Sequence, residues 1–188
     1  SAYKAAGLKE GYVLTALNYL DWRRGAERYI RPLQVKGEAS VLTDDTYLKA
    51  LNTLKSKYAS EPICAEVYLA QARYAIEKQQ QVNALQLCDE AIRLYPGYDR
   101  INALKNLREE ILAPYLNVYA ADQAFPNEEI ELRASHKNLD GFTVRIYQAK
   151  KLIKEQHYSV IRPEDYRTQD TAFTFKAPEL GAYVMRII

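Results

Sequence analysis

The sequence predicts an α+β chain of two domains, antiparallel helical hairpins over residues 1–112 and an antiparallel β-sandwich over residues 113–188. Three observations predict it. Up to Pro114, apolar residues recur every three or four positions, the period of helices with one buried face. After Pro114 they alternate, the period of strands with one wet face. Clusters of Asn, Asp, Gly and Pro break the second stretch into short segments, as turns between strands do.

The first helix is expected over residues 10–28, with Val13, Ala16, Leu17 and Leu20 on one face. Arg31-Pro32 closes it, because a residue before proline avoids the α region. Residues 33–42 read as loop. Thr43 or Asp44 then offers an N-cap to a helix striped by Tyr47, Leu51, Leu54 and Tyr58. A third helix is expected from Ser60-Glu61-Pro62, with Ser60 as cap and proline near the first turn. Its stripe is Ala65, Tyr68, Leu69, Ala72 and Ile76, and Gln79-Gln80-Gln81 is a polar turn. The fourth helix carries Ala84, Leu85, Cys88, Ala91, Ile92 and Tyr95 until Pro96-Gly97 stops it. Asp99 is expected to cap a fifth with Ile101, Leu104, Leu107 and Ile111.

Past Pro114, residues 116–119 read as a strand and Phe125-Pro126-Asn127 as a turn. Ile130, Leu132 and Ala134 alternate with charged and polar neighbours, as do Phe142, Val144 and Ile146. The turn chemistry of Lys137–Gly141 between them predicts a hairpin. Lys150–Lys154 fits a helical turn or a polar excursion, and residues 158–161 a strand. Arg162–Asp165 reads as loop, residues 172–175 as a strand, 177–181 as a turn and 183–187 as the last strand. With only five or six strands, the sandwich is expected to be incomplete and to leave an exposed edge that a longer protein would cover.

Composition narrows the function. Net charge is +2 with both signs interspersed, so no basic stripe favours nucleic acid. No apolar run approaches the roughly 20 residues of a membrane span. The chain opens Ser1-Ala2-Tyr3 without methionine, which reads as the edge of a longer coding sequence. Tyr outnumbers Phe by 16 to 4, read as half-buried helix packing rather than a Tyr-rich binding face. Cys64 and Cys88 are expected about two helical turns apart, on the order of 10 Å, beyond the roughly 7 Å a disulfide spans. Two free thiols follow.

No reactive constellation stands out. His136 and His157 are the only histidines, and a lone histidine on a strand is expected at the surface rather than on a metal. Glu109-Glu110, Glu128-Glu129 and Glu164-Asp165 read as solvated carboxylates. No nucleophile elbow, phosphate loop or metalloprotease motif occurs. No catalytic, cofactor-binding or metal-ligating residue is assigned, no cofactor is expected, and the chain is expected not to be an enzyme.

The third and fourth helices resemble a tetratricopeptide repeat. Tyr68 stands at the large aromatic position of that ~34-residue motif, Ala72, Ala84 and Ala91 at small positions, and Pro96 at the closing proline. Gln71, Ala75 and Cys88 depart from it, so the repeat is divergent. One repeat-length upstream, Ala50, Leu54 and Pro62 match Ala84, Cys88 and Pro96. The order of segments adds a larger resemblance. Ala84-Leu85-Gln86-Leu87-Cys88-Asp89-Glu90-Ala91-Ile92-Arg93-Leu94-Tyr95-Pro96 is followed by Ile111-Leu112-Ala113-Pro114, then Phe125-Pro126-Asn127-Glu128. Lys137-Asn138 before Phe142–Tyr147 and Pro178-Glu179-Leu180-Gly181-Ala182-Tyr183 complete it. This order resembles the N-terminal region of bacterial alpha-2-macroglobulin-like proteins, clearest over residues 61–148 and 178–187.

The resemblance implies a scaffold fragment of a very large secreted protease trap (an endopeptidase inhibitor), at the periplasm or outer cell surface. Its second domain would be a macroglobulin-type, immunoglobulin-like sandwich. Its partners would be other domains of the same chain and, through the whole protein, target proteases. No functional residue carries over. The thioester pattern Cys-x-Glu-Gln is absent, since Cys64 precedes Ala65-Glu66-Val67 and Cys88 precedes Asp89-Glu90-Ala91. Two further readings are an adaptor holding a protein partner in the helical groove, within residues 45–112, and a cell-surface glycan-binding module.

Overall fold

A computed structural model describes residues 8–29, 42–120, 125, 127–176 and 181–188. Among the described residues five helices precede six strands: α1 Lys9–Tyr29, α2 Asp44–Lys57, α3 Cys64–Glu77, α4 Gln81–Leu94 and α5 Asn102–Leu112, then β1 Tyr115–Ala120, β2 Glu129–Lys137, β3 Gly141–Gln148, β4 Lys151–Ser159, β5 Gln169–Lys176 and β6 Tyr183–Ile187. The chain divides into two compact units, residues 1–109 and 110–188. The Arg31-Pro32 stop, most of the 33–42 loop, Pro126 and residues 177–180 of the last turn lie outside the described residues.

In the first unit α1 packs on α2 and α3, α2 on α3, and α3 on α4. Thr43 caps α2, its hydroxyl accepting from the Thr46 N–H. The stripe Tyr47, Leu51, Leu54 and Tyr58 is buried. Ser60 does not cap α3. The helix begins at Cys64, after bonds from Cys64 to Glu61, Ala65 to Pro62 and Glu66 to Ile63 that wind the entry as a tight three-residue turn. Asp99 likewise stands outside α5, which follows a turn closed by the Ile101 N–H on the Tyr98 carbonyl.

Helix α3 is buried on most of its circumference, because neighbours lie on several sides of it; Glu66, Gln71, Tyr74 and Ala75 are buried beside the expected stripe. Ala72, Ala84, Cys88 and Ala91 are all fully buried where α3 and α4 approach. Side chains without bulk let the two backbones come close. Gln79 joins these helices at φ 58°. Its N–H bonds the Ile76 carbonyl and the Gln80 N–H the Ala75 carbonyl, a Schellman closure with glutamine where glycine is usual.

In the second unit β1-β2-β5 and β4-β3-β6 form two three-stranded antiparallel sheets. They share one core of Leu132, Ala134 and Phe175 from the first sheet and Phe142, Val144 and Ile146 from the second. Phe142 and Tyr158 both meet Phe173 across it, with ring centroids 5.4 and 4.2 Å apart.

The expected hairpin between residues 129–137 and 141–148 does not form. β2 pairs with β1 and β5, while β3 pairs with β4 and β6. Residues 138–140 instead carry the chain from one sheet to the other. Alternation specifies which face of a strand is apolar, not whether the next strand lies beside it or opposite it. The hairpin is β3–β4, turned by Ala149 and Lys150 at φ 45° and 69°. Lys151–Ser159 is therefore a strand, not a helical turn. Gly141 is required beside it: a Cβ there would stand 2.7 Å from the Tyr158 carbonyl oxygen and 2.8 Å from His157 Nε2.

Candidate functional site

The first unit holds a cleft of about 370 Å³. Helix α1 contributes Leu14, Leu17, Asn18, Asp21 and Arg24, spaced by three or four residues and hence on one face. Helix α3 contributes Glu66, Leu69, Ala70, Arg73, Tyr74 and Glu77 with the same spacing. Tyr47 of α2 and Arg100 complete the lining.

Its charges are mostly answered from within. The Arg24 guanidinium donates to Glu77 Oε2 at 2.6 Å and lies 4.7 Å above the Tyr47 ring and 5.3 Å above Tyr74. Burial opposes its charge, but Glu77 outweighs burial and holds the group above its ordinary value. The Tyr47 hydroxyl donates to Asp21 at 2.6 Å, and burial together with this acceptor raises its pKa. Glu66 is almost wholly buried, accepting from the Tyr98 hydroxyl at 2.9 Å and pairing with Arg100 at 3.3 Å. Arg73 has no ion-pair partner among the described residues and is exposed. The cleft thus offers hydrogen-bonding and ionic groups held in place by tyrosine rings. The cleft's α1 wall lies outside the 45–112 segment expected to bind alone.

The thiols are not activated. Cys64 and Cys88 are free and buried. Burial pushes Cys64 up from its ordinary value and Cys88 up to about 11. A thiol protonated at neutral pH is a poor nucleophile.

The histidines sit apart, and one overturns its expected exposure. His136 is fully buried on the inner face of β2, continuing the row Leu132–Ala134, with Nε2 2.9 Å from the Thr171 hydroxyl. A hydroxyl partner on β5 lets the ring replace an apolar residue there. His157 is exposed on β4, its Nδ1 3.2 Å from the Thr143 hydroxyl. No group of three metal-ligating side chains occurs among the described residues.

The carboxylate pairs are local and mostly exposed. Glu109 accepts from Arg108, Glu128 accepts from the Phe125 N–H at 2.8 Å, and the Glu110 carbonyl accepts from Lys137. Asp165 accepts from the Arg167 backbone and guanidinium, which hold its carboxyl below the ordinary range. Sequence reasoning missed the charged cleft. Its signal was present, since Asn18, Asp21 and Arg24 recur at helical spacing beside the apolar stripe of α1.

These features define a two-unit α+β chain with a charged cleft in its helical unit. No protein-family model, curated protein or solved structure matches it. No described helix is long and apolar enough to cross a membrane.

Proposed function

We propose that the chain is a non-catalytic scaffold from the N-terminal region of a large alpha-2-macroglobulin-like protease-trapping protein, acting at the periplasm or outer cell surface. The observation that carries this reading is the order of parts. A tetratricopeptide-like pair, α3 and α4, with small residues at the approach, precedes a two-sheet unit whose strands run β1-β2-β5 opposite β4-β3-β6. In immunoglobulin-type lettering that is A-B-E opposite C′-C-F. The helices and sandwich would orient the trap, and the rest of the protein would capture the protease. Recovery of the full reading frame tests this. A run of further sandwich domains downstream is expected; a frame with none overturns the reading.

A second reading is favoured by the cleft: an adaptor that binds a protein partner through Arg73 and the ring-held charges around it. It requires an Arg73→Glu variant of the whole chain to lose a partner that the natural chain retains in a pulldown. Retention by both ends that reading.

A further inference from the structure

Helices α1 and α3 run side by side in the same direction. Lys9 pairs with Glu61 at the entry to α3, and Arg24 with Glu77 at its end, at 2.6 Å. Residues 9 to 24 and 61 to 77 cover nearly equal lengths, so the two helices stay in step. Asp21 stands one turn before Arg24, and Arg73 one turn before Glu77. Opposite charges thus face each other across the cleft, yet no ion pair joins them. Asp21 accepts from the Tyr47 hydroxyl through Oδ1 and keeps Oδ2 without a partner among the described residues. Arg24 acts on Asp21 through space, but its hydrogen bond goes to Glu77. The Arg73 guanidinium has no hydrogen-bond or ion-pair partner among the described residues.

A third charge lies two turns away on the same face of α3. Glu66 is only 7% exposed. Its two partners, the Tyr98 hydroxyl and Arg100, both meet Oε1, which leaves Oε2 without a partner among the described residues. That oxygen is not sealed off from the cleft. An acceptor drawn this far from water costs free energy until a donor meets it. Seven residues separate Glu66 from Arg73, a rise of about 10 Å. Between them Leu69 and Ala70 of α3 and Leu17 of α1 make an apolar floor, and the small Ala70 keeps it open.

We propose that the cleft binds a free α-amino acid with a long side chain that ends in an N–H donor, as in lysine or arginine. The carboxylate meets Arg73, the α-ammonium meets Asp21 Oδ2 and the terminal nitrogen meets Glu66 Oε2. The methylene stem lies on Leu69 and Ala70. Extended lysine measures roughly 8 Å from carboxylate to Nζ by standard bond lengths, which covers most of the rise from Arg73 to Glu66. Three carboxylates and three guanidiniums line the cleft, so it has no net charge to repel a zwitterion. Selection then falls to where each charge stands. This ligand goes beyond the adaptor reading, which needs a protein and is judged by its own pulldown.

An NMR titration of the whole chain with L-lysine tests it, beside three relatives that each lack one contact. N-α-acetyl-lysine lacks the α-ammonium, lysine amide lacks the carboxylate and norleucine lacks the terminal nitrogen. Lysine should give saturable shifts at the Asp21, Glu66 and Arg73 amides at millimolar concentration. Each relative should bind at least about tenfold more weakly. Those comparisons use the natural chain and need no variant to fold. Arg73→Gln should weaken lysine by a similar factor with the helical circular-dichroism signal unchanged. No saturable shift with lysine overturns the proposal. So does acetyl-lysine or lysine amide binding as tightly as lysine, because the cleft then takes the end of a peptide chain. Norleucine binding as tightly as lysine overturns it too, since Glu66 then has no part in holding the ligand.

Discussion

The side-chain amide of Asn138 donates to the Ile111 carbonyl at 2.9 Å, and the same nitrogen reaches the carbonyls of Leu112 at 3.0 Å and Ala113 at 3.3 Å. One buried nitrogen thus answers three consecutive carbonyls at a helix end, groups that have no partner within the helix. Asn138 also sits at φ 56°, where asparagine is tolerated better than most residues. Asn138→Gly keeps the backbone and removes the amide, and should cost about 1–3 kcal/mol in urea unfolding. Asn138→Asp puts a carboxylate against the carbonyl oxygens and should cost more. Equal stability of all three proteins would remove this role from Asn138.

The hairpin turn of β3–β4 places Ala149 and Lys150, both with Cβ atoms, in the left-handed region at φ 45° and 69°. Each residue loses roughly 1–2 kcal/mol there relative to an accommodating one. The double substitution Ala149→Asn, Lys150→Gly supplies the pair such turns favour. It should raise the thermal midpoint of the second unit. An unchanged or lowered midpoint means the turn does not have this geometry.

Gln79 poses the same question in the helical unit, where it closes α3 at φ 58°. Gln79→Gly relieves the Cβ penalty and keeps the two closing backbone bonds. Stability of the first unit should rise by about 1 kcal/mol. Gln79→Val, β-branched at positive φ, should lower it.

These turns also mark where the sequence is silent. Tyr47, Leu51 and Leu54 repeat at helical spacing and are buried as that spacing requires. Leu132 and Phe142 alternate and point into the core as alternation requires. Neither period reports which neighbour lies where, so the step of the chain between sheets at Asn138 was hidden. The strand expected over residues 158–161 meets only the end of β4, and the rest of β4 was hidden for another reason. Its inner positions carry Lys154, Gln156 and Tyr158, and the bulge sets Leu152 and Ile153 side by side, so no alternation survives. His136 escaped because its compensating partner, Thr171, is 35 residues away. The cleft was half legible: its charges recur on one face of α1, but their pairing with Glu77 and Tyr47 depends on tertiary packing.

Ala91 is fully buried where α4 meets α3, and Cys88 and Ala84 lie one turn and two turns before it. Ala91→Leu adds bulk where the helices have no room. The expected cost is about 1–3 kcal/mol. Ala91→Gly should also destabilise, by helix propensity, at about 1 kcal/mol. Loss from the leucine variant and not from the glycine variant would place the constraint in packing alone. A leucine variant as stable as the parent would mean the helices lie further apart.

Alkaline pH should open the helical unit. Tyr47, Tyr68, Tyr95 and Tyr98 all have raised pKa values, first through burial and then through neighbours: Asp21 for Tyr47, Glu90 for Tyr68, Glu66 for Tyr98, and the Cys64 thiol for Tyr95, whose hydroxyl donates to the Ala59 carbonyl at 2.8 Å. In the unfolded chain a tyrosine ionises near an ordinary value of about 10. Below that pH both states keep the proton and the stabilisation is complete. Above it the unfolded chain releases protons that the folded chain still holds, so stability falls as pH rises towards the folded values. All four residues belong to the first unit, whereas the second has a raised tyrosine at Tyr158. The helical circular-dichroism signal should therefore fail first in a titration above about pH 10, together with the rise of tyrosinate absorbance. Tyr47→Phe removes one of the four groups and should make the decline with pH shallower. A helical signal that persists while tyrosinate absorbance reaches its full value would mean that these hydroxyls ionise in place and do not hold the helices together.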